Sequence, residues 1–159
     1  MPSYRILLAL AAASLAVSPS AFAQASGKDP CTLLTAADVS SALGITSRPG
    51  RPYLGSTHVC YFAADTGYVI GAPSVTLMVM TPVAFRNQSH MPGALAGHAL
   101  AGLGDEAYSV SSGGYAKVLV RKGTVMFSVT IVAGEKSKAT PAQIVEMEKT
   151  LATKVLAHI

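Results

Sequence analysis

Three spacings of apolar residues divide this chain. An apolar run from Ile6 to Val17 opens it, stripes three and four residues apart mark both ends of the remainder, and alternation fills the middle. The first stripe, Val39, Ala42 and Leu43, predicts a short helix. Thr35 caps it in a T-x-x-D box with Asp38, Leu34 and Val39 are spaced as a hydrophobic staple, and Gly44 ends it. The last stripe, Ile144, Met147, Leu151 and Val155, predicts a helix from about Pro141 to Ala157. Thr140 is its cap, proline its first residue and Gln143 completes the box, while Glu146, Lys149, Thr153 and Lys154 fall mostly off the stripe.

Between them the period is two. His58 to Ala64 reads as a strand with Asp65-Thr66-Gly67 as the turn after it, and Val75 to Met80 is apolar on both faces, as suits a central strand covered on both sides. A short helix through Phe85 and Arg86 follows. Residues 91–104 form a Gly/Ala-rich connection, and the glycine turn at Gly102-Leu103-Gly104 launches a strand from about Glu106 to Ser111. Ser112-Gly113-Gly114 turns the chain into a hairpin. With Lys122-Gly123 as its loop, Val120 opposes Val125, Val118 opposes Phe127 and Ala116 opposes Val129, with Lys117 against Ser128 and Tyr115 against Thr130 on the other face. The segment from Ile45 to Thr57, with Arg48-Pro49-Gly50-Arg51-Pro52 at its centre, reads as an exposed loop. The order helix, strands, helix predicts an α+β domain, an antiparallel sheet of about five strands with the N- and C-terminal helices packed on it.

Composition adds a compartment. The opening run of 12 residues, apolar but for Ser14, follows Arg5 and precedes Ala21-Phe22-Ala23, so residues 1–23 read as a secretory signal cut after Ala23; the run is too short for the ~20 residues of a membrane-spanning helix. Residues 24–30 then form a flexible leader and 31–159 one domain, periplasmic or secreted, with no transmembrane segment after cleavage. Loss of Arg5 leaves a net charge of +3, dispersed as Arg48/Arg51, Lys117/Arg121/Lys122 and Lys136/Lys138, which argues against nucleic acid as a partner. Two cysteines in an exported chain, Cys31 and Cys60, are most simply one disulfide.

Asp29-Pro30-Cys31-Thr32-Leu33-Leu34-Thr35, Ala42-Leu43-Gly44, Cys60-Tyr61, Gly102-Leu103-Gly104-Asp105-Glu106-Ala107-Tyr108 and the late hairpin with Lys122-Gly123 together resemble a family of small exported bacterial domains, many of them lipoproteins, of unknown function. The resemblance implies a cell-envelope location, a disulfide between the two cysteines and an αβ fold similar to the PsbP-like sandwich. It implies no reaction. The chain departs from many members in having no lipoprotein cysteine at the cleavage site.

Candidate chemistry is sparse. There is no G-x-S-x-G elbow, and both cysteines are committed. Asp105 and Glu106 are the only adjacent carboxylates; neighbours on a strand point to opposite faces, which frustrates joint acid and base work, and Asp105 is expected to bond the backbone of its own turn. Met78, Met80, His90, Met91 and His98 include the soft donors of a copper site, but methionine on a strand fills core and the histidines are isolated, so no metal or cofactor is assigned. Tyrosines at 53, 61, 68, 108 and 115, with no tryptophan, suit a contact surface. The expectation is therefore a non-catalytic envelope module that binds a protein, peptide or glycan. Arg48, Arg51 and Tyr53 of the proline-rich loop and Asp105, Glu106 and Tyr108 of the glycine turn are its binding residues, framing one face if the two loops are neighbours. A periplasmic inhibitor or immunity protein is one alternative, and a small hydrolase using Asp105 or Glu106 is the other.

Overall fold

The computed structural model describes residues 27–65, 71–91, 97–112, 115–134 and 137–159. The expected signal segment 1–23, Thr66 and Gly67 of one expected turn, Tyr68, Gly113 and Gly114 of another and Lys136 lie outside the described residues. Among the described residues three helices, α1 (Ala36–Leu43), α2 (Pro82–Ser89) and α3 (Pro141–Leu156), accompany seven strands: β1 (Arg51–Pro52), β2 (Val59–Ala63), β3 (Ser74–Val79), β4 (His98–Ala99), β5 (Glu106–Ser112), β6 (Tyr115–Lys122) and β7 (Val125–Val132). They form one sheet in the order β1-β2-β3-β7-β6-β5-β4, and every neighbouring pair is antiparallel.

The α+β class and the antiparallel sheet agree with the sequence, while the strand count is seven rather than about five. The two additional strands, β1 and β4, are two residues long and close the sheet's edges. Segments that short carry no alternation to read. They fall within stretches expected as loop and connection.

Both predicted caps form. Thr35 Oγ1 accepts from the Asp38 N–H while Asp38 Oδ2 accepts from the Thr35 N–H, and Gly44 ends α1 at φ +64°. Thr140 and Gln143 do the same at α3. Helix α3 covers β6 and β7 on one face of the sheet, where Val118, Val120, Phe127, Val129 and Ile131 meet Leu151 and Val155. Helix α1 packs against α3. On the other face α2 covers a smaller patch of Met80, Phe85, Val110 and Leu119. Strand β3 is thus fully covered on one side only: Val75 and Leu77 are buried, whereas Thr76 and Met78 are half-buried.

The hairpin exists, but its register differs from the expected one by two residues. Lys122 pairs with Val125, Val120 with Phe127, Val118 with Val129, Ala116 with Ile131 and Lys117 with Thr130. The loop is Gly123-Thr124. Gly123 has φ +56°, and Leu54 is the only non-glycine with positive φ among the described residues, so the turn has the II′ pattern with glycine at its first central position. The expected loop would have placed Lys122 in that left-handed position, at a steric cost glycine avoids. A slip of two preserves the faces, so the alternation of apolar residues could not discriminate between the registers.

Cys31 and Cys60 are bonded, with Cα atoms 5.0 Å apart and a sequence separation of 29. The end of the expected leader is docked: Asp29 Oδ1 accepts from the Cys31 N–H, Pro30 is buried, and Lys28 Nζ donates to the carbonyl of His158 at the other terminus.

Candidate functional site

The glycine turn builds the first part of the site. Gly102 and Gly104 have φ of +76° and +66°, and a Cβ on Gly104 would lie 2.5 Å from the Arg121 carbonyl. This close approach lets the Asp105 N–H donate to that carbonyl and turns the Asp105 carboxylate toward the β6–β7 hairpin. There it accepts from the Gly123 N–H at 2.7 Å and from Lys122 Nζ at 3.2 Å. Asp105 therefore bonds the backbone of the neighbouring hairpin, not of its own turn. Those two donors, the Gly123 N–H first, hold its carboxyl below the ordinary range.

Glu106 begins β5 directly opposite Arg121, and Tyr108 lies two residues on along the same face. Arg121 Nε donates to Glu106 Oε2 at 2.8 Å, and the Tyr108 hydroxyl donates to Oε1 at 2.7 Å. The Glu106 carboxyl is held below its usual range by Tyr108 first and Arg121 second, while the same bond pushes the Tyr108 phenol up. Arg121 also lies 3.8 Å from Asp105, so the two adjacent carboxylates converge on one guanidinium despite their strand alternation. The reason is that Asp105 precedes the strand.

Helix α2 forms the opposite wall. Thr81 caps it, Pro82 starts it, and Phe85 buries its ring edge-on to Tyr108 at 6.2 Å. At its end the His90 ring sits 5.7 Å from that of Tyr108, with Nδ1 2.8 Å from the Ser89 hydroxyl and 3.2 Å from the Arg86 carbonyl. Between helix and sheet lies a cleft of about 720 Å³. Pro82, Phe85, Met91 and Met126 supply its apolar lining, and Arg86, Asn87, Ser89, His90, Glu106 and Arg121 its polar lining. Its walls offer apolar contact beside a partly satisfied guanidinium and an exposed one, Arg86. Among the described residues no group of three or more His, Cys, Asp or Glu is placed to hold a metal ion. Met80 is buried under α2, away from such a role.

The proline-rich loop stands elsewhere. Arg48 pairs with Asp65 at 2.9 Å, both exposed, and β1 fixes Arg51 opposite Tyr61 and Pro52 opposite Cys60. Tyr53 leans on Tyr61 with ring centres 5.6 Å apart. Five strand spacings of ~4.8 Å separate β1 from β5, about 24 Å across the sheet. The two loops do not frame one face. Asp105, Glu106 and Tyr108 belong with Arg121 and α2; Arg48, Arg51 and Tyr53 belong to the opposite edge.

Sequence reasoning missed Arg121, Arg86, Ser89 and Glu148. Arg121 was readable only with the correct hairpin register and the β5 pairing. Glu148 carried a local signal: it lies four residues after Ile144 and three before Leu151, in the middle of the apolar stripe. Its side chain has no exposure; Oε1 accepts from the Ile131 N–H at 2.9 Å and Oε2 has no partner in the protein. Burial pushes this carboxyl up to about 8, against the lowering effects of the Ile131 N–H and of Lys117.

No protein-family model, curated protein or solved structure matches this chain.

Proposed function

We propose that this chain is an exported cell-envelope protein that acts by binding, and that the cleft between α2 and the β5–β7 end of the sheet holds a short segment of a protein, peptide or glycan bearing an anionic group. The observation that carries this reading is the state of Glu106. It lies in the cleft yet is engaged by Tyr108 on one oxygen and Arg121 on the other, and the pair keeps it ionised. A carboxylate held this way orients Arg121 and is a poor proton donor. Arg86 adds an exposed cation on the facing wall, and Phe85 and Met126 supply apolar contact. Such a combination of apolar lining and a few fixed polar groups suits recognition. The resemblance to exported envelope domains, including the PsbP-like arrangement of sheet and helices, is compatible with this role, as is the disulfide. An inhibitor or immunity protein would use the same surface toward an enzyme partner. Affinity capture from envelope extract tests the proposal: wild-type protein should retain a protein or glycan that Arg86→Glu protein releases, and equal retention by both counts against the cleft.

One observation favours a hydrolase as the second reading. Ser89 Oγ lies 2.8 Å from His90 Nδ1, and both residues line the cleft that contains Glu106. A hydroxyl, an imidazole and a carboxylate are the parts of a nucleophilic site. Against it, Ser89 is only 3% exposed and its hydroxyl also bonds the Arg86 carbonyl of its own helix. Labelling of Ser89 by a fluorophosphonate probe, absent in Ser89→Ala, would select this reading over binding alone.

A further inference from the structure

Leu54 is placed where folding gains nothing from it. It is 89% exposed, so it buries almost no surface, and it alone among described non-glycine residues takes a positive φ, +50°. The conformation is imposed by a stiff support. Ser56 N–H donates to the Tyr53 carbonyl to close the turn, β1 pairs with β2, and Gly50 lies so close to Cys60 Sγ and Phe62 that a Cβ there would meet both at 2.6 Å. A strained, exposed leucine on a preorganised turn points to a contact made outside the chain. Its neighbours define which kind. Tyr53, 43% exposed, carries a polar tip on an apolar ring, and Arg51 is exposed with no ion pair among the described residues.

We propose that the Arg51–Gly55 turn is a membrane-contact tip that inserts Leu54 into an anionic lipid surface, with Tyr53 at the headgroup level and Arg51 against the lipid phosphates. Apolar side chain, amphipathic tyrosine and arginine in one turn follow the depth order of a bilayer interface. A protein partner would call for a broad complementary surface around the leucine, whereas a lipid surface needs only the protruding tip. The positive net charge of the whole chain supports approach to anionic lipid. A single leucine gives a weak, reversible contact, which orients the protein on the membrane without anchoring it.

The chain contains no tryptophan, so Leu54→Trp provides a reporter at the tip itself. Its emission should shift to the blue with vesicles of phosphatidylglycerol and phosphatidylcholine, and much less with phosphatidylcholine alone; contact through the apolar amino-terminal run would leave it unmoved. Leu54→Asn, which tolerates positive φ, should fold at least as stably as wild type yet partition onto the anionic vesicles about tenfold less. Emission unchanged by anionic vesicles, an equal shift with both kinds, or full binding by Leu54→Asn overturns the proposal; a tip that only an envelope protein buries overturns it as well.

Discussion

Replacing Glu148 by glutamine should remove most of a stability loss that the wild-type protein suffers as pH rises. The carboxyl lies inside the layer between α3 and the sheet, with one oxygen on the Ile131 N–H and the other unpartnered. Its pKa rises from 4.5 to about 8, chiefly through burial, and Lys117 of β6 is the charged group acting on it. Below its unfolded value both states hold the proton and the group costs nothing. Between that value and about 8 the unfolded chain releases the proton while the folded one keeps it, so stability falls by about 1.4 kcal/mol per pH unit. From about pH 5 to about pH 8.5 the loss comes to roughly 4 kcal/mol. Glutamine keeps the acceptor for Ile131 and cannot ionise, at a penalty of about 1–3 kcal/mol for an amide N–H pair placed where Oε2 lacks a partner. That penalty does not depend on pH. Urea unfolding of both proteins at the two pH values separates the effects: the difference in stability between wild type and variant should change by roughly 4 kcal/mol in favour of the variant at high pH. Parallel curves would refute the buried, proton-holding carboxyl.

Three further outcomes follow from the same geometry. Reduction of the Cys31–Cys60 bond, or Cys60→Ser, should cost about 3.6 kcal/mol from the loop-closure entropy of its 29-residue separation, read as a lower urea midpoint. Gly104→Ala should destabilise by on the order of 2–3 kcal/mol, because a Cβ meets the Arg121 carbonyl at 2.5 Å in a left-handed conformation; thermal unfolding measures it. Tyr108→Phe removes the donor that lowers Glu106 most and should move the Glu106 titration upward toward the ordinary range, as carboxyl carbon NMR would show, with the Arg121 bond limiting the rise.

The helices were legible because their signals are local. Thr35 with Asp38 and Thr140 with Gln143 are complete within four residues, and glycine at 44 needs no tertiary partner to end α1. The hairpin was legible in its faces and not in its register, since residues two apart on β7 share a face and only the turn geometry at Gly123 selects among them. The site was half legible. Asp105, Glu106 and Tyr108 stood out as a polar cluster after a glycine turn, but Arg121 joins them through strand pairing, and Arg86, Ser89 and His90 join them because α2 folds back over the sheet. Separation of the two loops is likewise a matter of sheet order, which places β2, β3, β7 and β6 between segments that sequence alone could have set side by side.

The central claim, that the cleft under α2 binds an anionic segment, is tested most directly by amide NMR during titration with short acidic peptides and anionic oligosaccharides. The account predicts saturable shifts centred on Phe85, Arg86, His90, Arg121 and Met126, abolished by Arg86→Glu. Saturable shifts centred away from these residues, or none with any member of the panel, would contradict it.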